Sequence, residues 1–116
     1  MEWVQLENGD ITEYGSQGVH MSEAARLENV DGFSVHLAHL APGGLLGRHP
    51  TRLWQLFTVT SGSGWVATAD GVRHAIASGQ AVMWSPGEEH ESGSDEGMSV
   101  VITQSTAPLP RGDAGT

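Results

Sequence analysis

The chain has 116 residues, with fourteen acidic against five basic side chains and a formal net charge of -9. That length builds one hydrophobic core and no second lobe, and the charge excludes the basic stripe that a nucleic acid or an anionic membrane requires. With no cysteine there is no disulfide, thiolate metal site or thiol nucleophile. No apolar run reaches the ~20 residues of a spanning helix. The first five residues lack the basic and apolar regions of a signal peptide, so a cytoplasmic protein is expected.

Sixteen glycines and five prolines, scattered among clustered Val, Thr and Trp, predict an all-β chain of short strands and turns. Residues 2–6 are an expected first strand, followed by a turn-rich link over 8–18. Residues 19–27 fit a strand or a short helix, the latter through 22–27. A turn at 29–32 precedes a strand at 33–41, which Pro42-Gly43-Gly44 breaks. The next strand, 55–60, places Gln55, Phe57 and Val59 on one face. Gly62-Ser63-Gly64 leads to a strand at 65–69, and Asp70-Gly71 signals a tight hairpin into 72–76. Strands are expected at 81–85, 90–92 and 98–103. Residues 104–116, rich in Pro, Gly and Ser, read as a loose tail.

Of six histidines, two sit in glycine-punctuated stretches suited to a site. One stretch reads Gly43-x5-His49-x-Thr51-x3-Gln55-x6-Gly62; the other reads Gly79-x5-Ser85-x-Gly87-x2-His90-x3-Ser94. On a strand, residues 49 and 51 share a face because side chains alternate with a period of two. A turn through residues 52–54 then brings Gln55 alongside. Four such groups, three from one hairpin and His90 from a later strand, can converge inside a small barrel.

These stretches resemble the paired motifs of the cupin superfamily, G-x5-H-x-H-x3,4-E-x6-G and G-x5-P-x-G-x2-H-x3-N, with the spacing kept throughout. The resemblance covers about residues 33–103 and implies a double-stranded β-helix (jelly-roll) barrel with a central pocket. It divides the chain into an N-terminal strand and link (1–32), the barrel (33–103) and a tail (104–116). It also implies a homodimer paired through the apolar first strand.

Carried over position by position, the metal ligands that the resemblance implies are His49, Gln55 and His90, for Mn, Fe, Ni or Zn. Thr51 stands where the family has a second His, and Gln55 where it has a Glu. A hydroxyl is a poor transition-metal ligand, and the amide oxygen coordinates without neutralising charge. The resemblance thus implies a pocket for a small organic molecule, with two readings. In one, a metal acts as Lewis acid in a lyase, isomerase or cyclase step, and Thr51 bonds substrate or a metal-bound water. In the other, the barrel is a metal-free binding or sensing module, or runs acid–base chemistry on its histidines.

Trp54, Phe57 and Trp84 are candidate pocket walls. His74 alternates with Val72 and Ile76 and is a candidate to face inward, although a packed or rim histidine is the plainer reading. His20, His36 and His39 have no motif and receive no role. Glu88, Glu89, Glu91, Asp95 and Glu96 lack the ligand spacing of a calcium loop and read as a solvated rim. Arg111-Gly112-Asp113 in the tail is a chance tripeptide.

Overall fold

A computed structural model describes residues 1–26 and 32–108. Eight strands run in chain order: β1 (Asn8–Asp10), β2 (Gln17–Arg26), β3 (Phe33–Pro50), β4 (Trp54–Ala67), β5 (His74–Ala77), β6 (Ala81–Trp84), β7 (Glu89–Ser94) and β8 (Met98–Ser105). The single helical element among the described residues is a 3-10 turn, Glu13–Gly15. None of their helices is long and apolar enough to cross a membrane.

Two long strands close the barrel by changing partners along their length. β3 pairs with β8 through its first half (Leu40↔Met98) and with β7 through its second (Leu45↔Gly93). β4 does the same in the same order, with Phe57↔Ile102 on β8 and then Val66↔Ser92 on β7. The ring β3–β7–β4–β8 therefore has no free edge, which is how an antiparallel barrel satisfies its backbone groups. The jelly-roll barrel is the expected all-β architecture.

The expected breaks at 42–44 and 62–64 are corners within continuous strands. At such a corner, irregular backbone lets the strand leave one neighbour for another without giving up its ladder. Gly62 shows why the corner needs glycine: its φ is +80°, and a Cβ there would lie 2.2 Å from the Gly97 carbonyl oxygen. The core sits between the two halves. In β8 the buried residues Met98, Val100 and Ile102 alternate with less buried ones, and they pack with Leu40, Phe57 and Val59.

Four local expectations are corrected. Residues 2–6 form no strand, and Met1, Trp3 and Val4 are exposed. The first strand is β1, paired with β2 (Asn8↔Ser22), so part of the supposed link belongs to the sheet. Of the two alternatives left open for 19–27, the strand holds through Arg26, with pairs such as Ala25↔Val35 outweighing a weak helical propensity. The hairpin near Asp70-Gly71 is wider than expected. Its last pair is Val66↔His74, and Asp70 Oδ1 braces the loop by accepting from the Val72 N–H and the Thr68 hydroxyl. Finally, Gln104 and Ser105 still belong to β8 and face Ser34 and Phe33. Residues 109–116, with the Arg-Gly-Asp tripeptide, and 29–31 of the expected turn lie outside the described residues.

Candidate functional site

A cavity of about 250 Å³ opens inside the barrel. Alternation aims neighbouring pairs of side chains at it: Gln55 and Phe57 from β4, His90 and Ser92 from β7, Ile102 and Gln104 from β8. His36, Leu46 and His49 come from β3 and Met21 from β2. Ile11, Glu13 and Tyr14 close one side from the segment between β1 and β2.

The two motif histidines face each other directly across the β3–β7 ladder (His49↔His90), with ring centroids 4.4 Å apart. His49 Nδ1 lies 2.7 Å from the Gly47 carbonyl. A carbonyl only accepts, so Nδ1 carries the hydrogen and Nε2 of the neutral ring holds a free lone pair. Tyr14 stacks flat on the same imidazole, 4.1 Å away and 8° from parallel. His90 stacks on Trp84 at 4.5 Å, and Trp84 meets Phe57 edge-on. Burial, with a smaller repulsion from His49, pushes the His90 imidazole down to about 4, against a weak pull from the Glu88 carbonyl. His90 is therefore neutral at physiological pH.

Tyr14 owes its place to three features of Gly47. Its N–H donates to the buried Ser16 hydroxyl, its carbonyl holds His49, and its missing side chain leaves room for the Tyr14 carbonyl. Tyr14 itself has φ +61°, a left-handed conformation that costs a non-glycine residue about 1 kcal/mol. The packed turn repays that cost.

Gln55 is 4% exposed, and its amide makes no hydrogen bond among the described residues. The hydroxyl of Ser92 and the amide of Gln104 are likewise unpaired there and face the cavity. His36 Nε2 lies 3.4 Å from Glu23, a carboxylate that Arg26 also binds and holds below its usual range.

Other expected positions fall elsewhere. Thr51 lies beyond the end of β3, so the period-two argument linking it to His49 does not apply. It is buried, its hydroxyl donates to the Leu53 carbonyl at 2.8 Å, and its backbone is bonded to Gly87 and Glu88. It fastens two loops together and does not line the cavity. Trp54, half-buried at the start of β4, does not line it either, and Trp84 reaches the site only through His90 and Phe57. His74 is exposed on β5, beside a separate shallow groove. Ser92 and Gln104 were within reach of sequence reasoning, each two residues along a strand from an inward neighbour. Tyr14 was not, since only the folded turn brings it to His49.

The cupin resemblance implies a divalent metal at His49, Gln55 and His90, and the donors present do not fit one. Two imidazoles and an amide supply no anionic ligand to balance a divalent charge. The hydroxyl at 51 is committed to Leu53. Among the described residues no group of three His, Cys, Asp or Glu side chains is placed to hold a metal ion.

No family model matches the sequence, nor does any curated protein. Solved structures do match it in shape. The polyketide cyclase RemF from Streptomyces resistomycificus aligns with a TM-score of 0.77 at 18% identity, over 95% of this chain and 82% of its own. An RmlC-like cupin from Shewanella frigidimarina aligns with a TM-score of 0.74 at 21% identity, over 89% and 86%. A cupin-like protein from Thermotoga maritima aligns with a TM-score of 0.75 at 20% identity, over 87% and 80%. At these identities the likeness establishes the fold.

Proposed function

Proceeding from the cupin fold of this chain, we propose that the barrel binds a small organic molecule and moves a proton on it, an isomerase- or cyclase-type step. One observation carries this reading: the 2.7 Å bond from His49 Nδ1 to the Gly47 carbonyl. It fixes one tautomer, leaves Nε2 free as a base, and holds the imidazolium that forms when Nε2 takes a proton.

The proton comes from a carbon beside a carbonyl group of the ligand. As the C–H bond breaks, its electron pair moves into a new C=C bond, and negative charge gathers on the carbonyl oxygen. The unpaired N–H of Gln55 is the donor available to that oxygen. Return of the proton from His49 to a different carbon completes an isomerisation. Alternatively the enolate carbon attacks a second carbonyl, its C=O π pair moves onto oxygen, and that alkoxide takes the proton back from His49 to complete a ring closure. The apolar wall of Phe57, Leu46 and Ile102 limits competition from water. One structural neighbour is a polyketide cyclase, but at 18% identity the likeness supports the fold and the chemistry rests on His49.

Deuterium exchange tests the reading. In D2O, 2-tetralone loses its α-proton signals in the NMR spectrum. The protein should accelerate that loss by about a hundredfold over buffer, the usual scale of a positioned base. His49→Gln and His49→Ala, folded by circular dichroism, should abolish the acceleration. Exchange at the buffer rate, or exchange that survives in His49→Gln, overturns the proposal.

A further inference from the structure

We propose that this site takes an uncharged, flat, ring-bearing molecule with hydroxyl or carbonyl groups, and turns carboxylates and phosphates away. The proposal rests on the reading of the barrel cavity as the ligand site and names the chemistry of what enters it.

Charge is the first argument. Anion-binding pockets supply arginine, lysine or a helix N-terminus. This chain has no lysine, and Arg26, Arg48, Arg52 and Arg73 do not line the cavity. Three of these are engaged elsewhere: Arg26 binds Glu23, Arg48 donates to the Ala69 carbonyl, and Arg73 lies over the Trp65 ring at 3.8 Å. Glu13, the one carboxylate in the lining, stands next to Tyr14 and repels an approaching anion. His36 Nε2 already faces the Glu23 carboxylate.

Hydrogen bonding is the second. Among the described residues, the lining amides of Gln55 and Gln104 and the lining hydroxyls of Ser92 and Tyr14 have no hydrogen-bond partner. Each is neutral and offers both donor and acceptor, the complement of hydroxyl and carbonyl groups rather than of a full charge. An amide left unpaired in this setting discriminates strongly for a ligand that completes its bonds.

Shape is the third. Tyr14 stacks on one face of His49 and is 60% exposed, so an aromatic ring stands at the solvent side of the lining. Phe57, Leu46 and Ile102 supply apolar wall below. Flat walls of this kind favour a planar ring over a flexible chain.

Calorimetry with three bicyclic probes of equal size tests the proposal at pH 7: neutral 2-naphthol, anionic 2-naphthoate and cationic 2-aminotetralin. The native protein should bind 2-naphthol at least about tenfold tighter than 2-naphthoate, because a buried carboxylate without a partner is costly. Glu13→Arg, a charge reversal at an exposed position of the lining, should raise the affinity for 2-naphthoate relative to that for 2-naphthol. Gln104→Arg, with the cation on a less exposed lining residue, should raise that ratio further, through both the gained charge and the lost amide. Native protein that binds 2-naphthoate or 2-aminotetralin as tightly as 2-naphthol overturns the proposal, as does binding of none of the three. If His49-dependent exchange of 2-tetralone persists in either case, only the ligand class has failed. If exchange is absent while the preference for 2-naphthol holds, only the proton-transfer reading has failed.

Discussion

Gly47→Ala isolates the contact that joins His49 to the turn between β1 and β2. Gly47 does not use a left-handed backbone, so alanine is conformationally acceptable and the effect is steric. The new Cβ would lie 1.6 Å from the Tyr14 carbonyl oxygen and 2.7 Å from its carbonyl carbon. The 13–15 turn must then retreat by ~1.5 Å or more to restore ordinary contact. That movement removes the buried bond from the Gly47 N–H to Ser16, worth about 1–3 kcal/mol when a buried donor is left unpaired. It also separates Tyr14 from His49, worth about 0.5–1.5 kcal/mol. Together the loss is about 2–4 kcal/mol, or a fall in Tm of about 8–16 °C for a domain of this size. Urea denaturation and calorimetry measure it, and amide hydrogen exchange at residue 47 reports the lost bond. Ser16→Ala acts through the same turn, so the double variant should lose less than the sum of the two. An unchanged Tm for Gly47→Ala, with residue 47 still protected, would refute the account of how Tyr14 is held.

Three further outcomes follow from the site. His90 has its pKa depressed to about 4 by burial, against an ordinary 6.5, so the unfolded chain binds more protons between those values. Stability is therefore full above about pH 6.5 and falls by at most ~3 kcal/mol as the pH drops to 4. His90→Gln should flatten that slope in acid titrations of Tm, and an equal slope in the variant would assign it to other groups. Thr51→Ala should cost about 1 kcal/mol through the lost bond to Leu53 and leave 2-tetralone exchange intact; lost exchange at normal stability would place Thr51 in the site. Dialysis against EDTA should change neither Tm nor exchange, whereas a loss that Mn, Fe, Ni or Zn restores would show that three neutral donors do hold a metal here.

Much of the barrel was legible in the chain because it depends on local rules. Glycine punctuation and alternation placed most of the strands, and the two spaced motifs identified the fold and put His49 and His90 together. Gln55 and Phe57 were readable as inward neighbours for the same reason: a period of two needs no knowledge of the partner strand. Thr51 marks the limit of that rule. Periodicity extends only as far as the strand, and β3 stops at Pro50, where the chain turns to bond with residues 87 and 88. The corners at 42–44 and 62–64 read as breaks because glycine signals irregular backbone without saying whether the strand continues with a new partner. Tyr14 lies thirty-five positions before His49, and no pattern links them. Its stack exists because Gly47 lacks a side chain and Ser16 supplies an acceptor, a three-body fit that arises only once β3 and the 13–15 turn are packed. The depressed pKa of His90 has the same origin. The sequence determines that an imidazole stands at position 90; burial against Trp84 and the facing His49 decides that it stays neutral.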